Sequence, residues 1–183
     1  MTDSTRRRFL RTATTAGAAI ALAGCTGILG EDDSADVENY SLPAASATVE
    51  VAMGPNRTNS FDPEIVRVEP GGTVTWTNES GNHSATAYLP DNDEPRRTPA
   101  DAEAWDTGVI RKNGRSASHT FEIPGVYDYF CIPHESMGMV ATVVVGDPDP
   151  DDQAGLEPPG GDLPRSARER LETLNARVRS ALE

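Results

Sequence analysis

Cysteine and histidine are scarce in this chain: two of the former, Cys25 and Cys131, and three of the latter, His83, His119 and His134, among 183 residues. A structural zinc site closes with four ligands drawn mostly from these two residue types, and Cys25 lies in a segment of its own, so zinc is poorly served. Lysine is represented by Lys112 alone, and the formal net charge is −13. A long hydrophobic run is missing too. The apolar, Ala-rich stretch from Ala13 to Gly24 falls short of the ~20 residues that span a bilayer.

The scarce residues are gathered in one place. Cys131-Ile132-Pro133-His134-Glu135-Ser136-Met137-Gly138-Met139 brings a thiolate, an imidazole and thioethers onto one short loop, and that is a copper ligand set. Soft sulfur suits the reduced ion and imidazole nitrogen the oxidised one; two His and one Cys with a weak axial Met serve both. His83 is the candidate for the second imidazole. His119, in the alternation Ser118-His119-Thr120-Phe121, reads as a solvated strand residue rather than a ligand. A binuclear centre bridged by two thiolates would need a second Cys beside Cys131, where Ile132, Glu135 and Ser136 stand. Catalytic copper with an open position would need several further histidines. What remains is one closed, redox-active copper ion that receives an electron and passes it on, and no enzyme is expected.

Gly125-Val126-Tyr127-Asp128-Tyr129-Phe130-Cys131-Ile132-Pro133-His134, then Gly138-Met139-Val140, with Trp76-Thr77-Asn78 leading to His83 and with Trp105-Asp106-Thr107-Gly108, resembles the blue copper proteins, or cupredoxins, most of all plastocyanin and halocyanin. The likeness covers roughly residues 47 to 146. It implies copper held by His83, Cys131, His134 and an axial Met. Met139 has the plastocyanin spacing and Met137 that of amicyanin. Met139 is preferred, because Gly138 permits a tight turn before it and the run Val140 to Val145 opens after it; Met137 remains its competitor. The resemblance also implies that Tyr127 braces a corner. Two positions depart from the plastocyanin pattern: Phe130 stands in place of a Tyr, which puts a transfer route through that hydroxyl in doubt, and Ser84 replaces an Asn that steadies the thiolate loop.

Thr48–Ala52, Ile65–Val68, Thr73–Thr77, His119–Ile123, Val126–Phe130 and Val140–Val145 are short, rich in β-branched or aromatic residues, and read as strands. Glu69-Pro70-Gly71-Gly72 and Ile123-Pro124-Gly125 punctuate them with turn chemistry. The expected fold is all-β, an antiparallel Greek-key sandwich of the cupredoxin type over residues 47–146. Along Val126 to Cys131, Tyr127, Tyr129 and Cys131 should face one way and Val126, Asp128 and Phe130 the other.

Outside that domain, Arg6-Arg7-Arg8-Phe9-Leu10 followed by the Ala-rich stretch resembles a twin-arginine signal over residues 1–24. Leu22-Ala23-Gly24-Cys25 reads as a lipobox, with Cys25 as the site of acylation. Residues 25–46 read as an acidic, lipid-anchored tether. Both cysteines are then accounted for without a disulfide. Residues 1–24 carry four Arg against one Asp, so the rest of the chain sits three units lower, at −16. Acidity with so little Lys suggests a halophilic source. Residues 147–162 read as an Asp/Pro/Gly linker, and 163–183 as an amphipathic helix with Leu171, Leu174, Val178 and Leu182 on one face. Ser166-Ala167-Arg168-Glu169 resembles a capping box there; packing on its own sandwich or fraying is the favoured reading, with partner docking, self-association through the apolar stripe and membrane-surface binding as the alternatives.

The function expected is electron transfer at the outer face of the cytoplasmic membrane, in a respiratory or photosynthetic-type chain. Membrane-bound donor and acceptor proteins would dock transiently around His134, Pro133, Met137 and Met139; no nucleic-acid partner is expected. The alternative is extracytoplasmic copper storage or delivery.

Overall fold

The computed structural model describes residue 37 and residues 39–183. The twin-arginine motif, the Ala-rich stretch, the lipobox and Cys25 lie outside the described residues. Among those that are described, no helix is long and apolar enough to cross a membrane.

Among residues 46–183, seven strands and a C-terminal helix follow in order: β1 Ser46–Met53, β2 Phe61–Asp62, β3 Ile65–Asn78, β4 Thr86–Ala87, β5 Ser116–Phe121, β6 Gly125–Phe130, β7 Val140–Val145 and α1 Arg165–Leu182. The strands run β2-β1-β3-β7-β6-β4, with β5 also on β3. The runs Ile65–Val68 and Thr73–Thr77 are one strand of 14 residues rather than two. Gly71, with φ +83, bends the chain at the Glu69-Pro70 corner without ending the ladder, a conformation open to glycine at little cost. Before the bend Ile65–Val68 pair with Thr142–Val145 of β7; after it Thr73–Asn78 pair with β1 and Gly72–Thr77 with β5. β3 therefore belongs to both layers.

The pairing is mixed rather than purely antiparallel. β1 with β3 and β3 with β7 run parallel. The chain reverses after β1 into the short antiparallel β2 and again before β3, so β3 returns in the direction of β1.

Every residue of β6 and β7 is buried, because both faces of these strands are covered. Tyr127, Tyr129 and Cys131 point inward with Ala141 and Val143, toward Val51, Val74 and Trp76 of the other layer. Val126 and Phe130 point outward with Val140 and Val144, against Ala167, Leu171, Leu174 and Val178 of α1. The alternation expected along β6 is thus realised, with a second core where solvent would otherwise lie. Burying a Leu or Val contributes ~1.5–3 kcal/mol, so this outer core is a substantial part of the fold's stability.

The stretch from Asp147 to Gly161 is not a free linker. It forms 3-10 turns at Pro150–Asp152 and Ala154–Leu156, with Gly155 and Leu156 buried. Arg97 donates to the carbonyls of Gly155 at 2.6 Å and Glu157 at 3.0 Å, and its Nε donates to the fully buried Asp128 at 2.8 Å. Thr142 completes the carboxylate's shell at 2.6 Å. The capping box is also corrected. α1 starts at Arg165 behind Pro164, with no side-chain cap, and Glu169 pairs with Arg165 at 2.7 Å within the helix. Proline's fixed φ suits that entry. Tyr40 and Leu42 also pack against the α1 core, so the chain already lies on the domain before β1 begins.

Candidate metal centre

Three side chains converge at one end of the sandwich. Cys131 Sγ lies 3.6 Å from His83 Nδ1 and 3.5 Å from His134 Nδ1, and the two nitrogens are 3.1 Å apart. These three residues are the one such cluster found among the described residues. The triangle has a point about 2 Å from all three atoms, near the length of an imidazole–metal bond for a first-row ion. The donor set suits copper, and His119 is not in it.

Each member is positioned by its own device. His83 is buried at 1% exposure and is bridged to Ile110 by backbone bonds in both directions, at 3.2 and 2.7 Å. A β-carbon on Gly54 would stand 2.5 Å from His83 Nε2, and one on Gly81 3.0 Å from it. These glycines form a slot for the ring, and the Ser80 carbonyl binds it there. Burial, then the nearness of His134, lowers the His83 pKa against that bond. Neutral imidazole is the metal-binding form, and with Nε2 facing the slot, Nδ1 is left toward the centre.

Cys131 follows the last residue of β6 and is fully buried. Burial pushes its thiol up to about 11, opposed by the N–H groups of Ser84 and His134. Loading a metal must therefore release a proton from this sulfur. His134 is half-buried on the 3-10 turn Ile132–Met137. Gly138, with φ +85, closes that turn, and its N–H reaches Glu135 at 2.8 Å. The C-terminal helix backs this bend: a β-carbon on Gly138 would lie 3.2 Å from the Ser166 carbonyl.

The two methionines differ sharply. Met139 is 1% exposed and shares the inner core with Cys131; its carbonyl accepts from Cys131 N at 3.0 Å and its N–H donates to His134 at 3.2 Å. Met137 is 62% exposed, and its sulfur accepts from Asn59 at 3.5 Å. The expected surface around His134 is corrected accordingly: Met139 is inside, and the exposed apolar residues are Ile132 and Met137.

Tyr127 donates to the Ile123 carbonyl at 2.6 Å, the corner brace the resemblance implied. Phe130 faces outward against Tyr88, with ring centres 4.6 Å apart, and supplies no hydroxyl. Ser84, the other departure, bonds across to the thiolate loop, its oxygen accepting from Ile132 N at 2.9 Å. His119 stacks on Trp105 at 5.5 Å and is half-buried rather than solvated, because the 101–105 segment lies over it. Sequence reasoning missed the Gly54–Gly81 slot. Its only signal was the Gly54-Pro55-Asn56 turn closing β1, which does not reveal what the glycine faces.

A family model described as copper binding proteins, plastocyanin/azurin family, matches residues 47–146. Halocyanin of Natronomonas pharaonis is 30% identical over 172 residues, covering 79% of this chain and 99% of its own. The chloroplastic plastocyanin of Tetradesmus obliquus is 33% identical over 111 residues, 60% of this chain and 74% of that protein. The crystal structure of pseudoazurin from Methylobacterium extorquens AM1 superposes with a TM-score of 0.54 at 31% identity, over 72% of this chain and 98% of that one. Fold, donor set and matched sequence agree, and the chain belongs to the plastocyanin/azurin family of copper-binding proteins, cupredoxins that carry electrons on one copper ion and are not enzymes.

Proposed function

We propose that this protein is a membrane-anchored electron carrier of a respiratory or photosynthetic-type chain, with copper held by His83, Cys131 and His134 and with Met139 as the weak axial ligand. The observation that carries the ligand assignment is the triangle of two Nδ1 atoms and one sulfur, all within 3.6 Å of one another. Met139 is preferred over Met137 for its burial beside Cys131. Bound copper supplies exchange of one electron between Cu(I) and Cu(II). The chain's part is to keep the ligands nearly still between those states. His83 is held in its slot, Cys131 is tied to Ser84 and to Met139, and the 3-10 turn is backed by α1.

Residues 1–24 are read as an export signal, Cys25 as the acylated anchor and residues 25–46 as the acidic tether, placing the domain at the outer face of the cytoplasmic membrane. One acyl chain holds weakly and two hold well, at ~0.8 kcal/mol per buried methylene. Partners would dock over Ile132, Pro133 and Met137 around the half-buried His134. For a chain at −16 in a halophile this contact is apolar, since at ~1 M salt the Debye length is ~3 Å. The contact is small and transient, as redox encounters are.

The deciding measurement is the visible spectrum of the oxidised, copper-loaded protein, joined to a reversible redox titration. An intense thiolate-to-copper band with a stable positive potential is expected, and copper should stay bound through repeated cycles in the presence of a chelator. Metal surrendered quickly to the chelator would favour delivery instead, and a colourless protein that cannot be oxidised would sink the carrier reading.

A further inference from the structure

Behind the cysteine runs a chain of hydroxyls whose proton order is fixed from its far end. Asp106 Oδ1 accepts from the Gly108 N–H at 2.9 Å and from Thr86 Oγ1 at 2.8 Å. A hydroxyl has one proton, so Thr86, having given its own to the carboxylate, can only accept from Ser84, 3.1 Å away. Ser84 in turn spends its proton on Thr86 and accepts from Ile132 N at 2.9 Å. The order is Ile132 N–H to Ser84 to Thr86 to Asp106. Ser84 and Thr86 are buried and Asp106 is exposed.

The order matters because of what else Ser84 can reach. Its backbone N–H already donates to Cys131 Sγ at 3.4 Å, and its hydroxyl is held at 2.9 Å by the N–H of Ile132, the residue next to that cysteine, from where a freed proton can turn to the sulfur. Hydrogen bonds to a copper-bound thiolate withdraw its electron density and tune the potential. The oxidised ion depends more on that density, so an added donor favours the reduced state and raises the potential.

We propose that Asp106 is a positioning residue for the copper site: acting through Thr86, it draws the Ser84 hydroxyl proton away from Cys131 and leaves the sulfur with fewer donors. This rests on Cys131 being a copper ligand, and a band and potential in the parent protein establish that separately.

Thr86→Val is the deciding variant, because it breaks the chain without changing charge. The Ser84 proton is then free to turn to the sulfur. The redox potential should rise and the thiolate-to-copper band should move to higher energy, while Thr86→Ser should restore both. Asp106→Ala should also raise the potential. Part of that rise comes simply from the lost negative charge, so the hydroxyl-dependent part is the portion that disappears in a Ser84→Ala background. In the metal-free protein, exchange of the Ile132 amide should be fast in Ser84→Ala and remain slow in Thr86→Val. An unchanged potential in Thr86→Val, or an Asp106→Ala shift of the same size with and without Ser84, would overturn the proposal.

Discussion

The two histidines of the site are held in opposite ways. His83 sits in a slot cut by Gly54 and Gly81, buried, with backbone bonds to Ile110 on either side. His134 rides a six-residue 3-10 turn, half-buried between exposed Ile132 and Met137. One half of the site is framework and the other is surface, yet their nitrogens are 3.1 Å apart. The difference teaches that rigidity and access need not come from the same ligand. The buried half can fix the geometry while the turn, braced from behind by α1, brings the centre to the edge of the molecule.

The strongest way to break the comparison is to empty the framework half. His83→Ala should abolish the intense visible band or convert it to another type of copper site, whereas His119→Ala should keep it; equal loss in both would refute the ligand assignment. Next come two substitutions that separate framework from backing. Leu171→Ala, which hollows the core beneath β6 and β7, should cost ~2–5 kcal/mol in denaturant unfolding with the band unmoved. Gly54→Ala should cost at least ~1–3 kcal/mol for a side chain at positive φ and, unlike Leu171→Ala, disturb the band, because its β-carbon meets His83 and the Ser80 carbonyl. If Leu171→Ala altered the spectrum as much as Gly54→Ala, the helix would belong to the framework and not to the backing.

Smaller effects sharpen the picture on the loop. Met139→Leu should shift both spectrum and potential, and Met137→Leu should leave them in place; the reverse pattern would move the axial position onto the exposed residue. The smallest effect is a pH dependence away from the site. Burial lifts the Asp128 carboxyl to about 6 against the pull of Arg97 and Thr142, above the ~3.9 of an unfolded chain. Between those values the folded protein holds a proton that the unfolded chain has lost. This contribution to stability is therefore full below about pH 4 and is lost as the pH rises through 6. Asp128→Asn should flatten that part of the stability curve. Parallel curves for the two proteins would show that Asp128 is not the group responsible.

Much of the centre was legible because its chemistry is local. Cys131, His134 and both methionines fall within nine residues, and softness and spacing name the metal. The inward face of β6 follows from a period of two. What the sequence hid was non-local. Period alone cannot show that β6 is covered on its far side too, nor that the Pro- and Gly-rich stretch after β7 is pinned by Arg97 from another loop. The five Arg against three Glu of 163–183 likewise make sense only in three dimensions, where Arg170 pairs with Glu64, Arg179 with Asp151, and Arg177 lies 5.9 Å over the Tyr40 ring. The capping-box motif misled because Ser166 stands inside the first turn, behind a proline that had already set the helix's direction.

The position of α1 in the chain sets an order in time. Val126, Phe130, Val140 and Val144 are covered by a helix that begins about twenty residues after β7 ends. During synthesis the two central strands are therefore complete while one of their apolar faces is still bare, a state prone to aggregate or to be held by chaperones. A chain interrupted after residue 146 would already contain every proposed ligand and still expose that face. Completion of the helix, rather than of the ligand set, marks the moment at which the newly made domain stops being sticky.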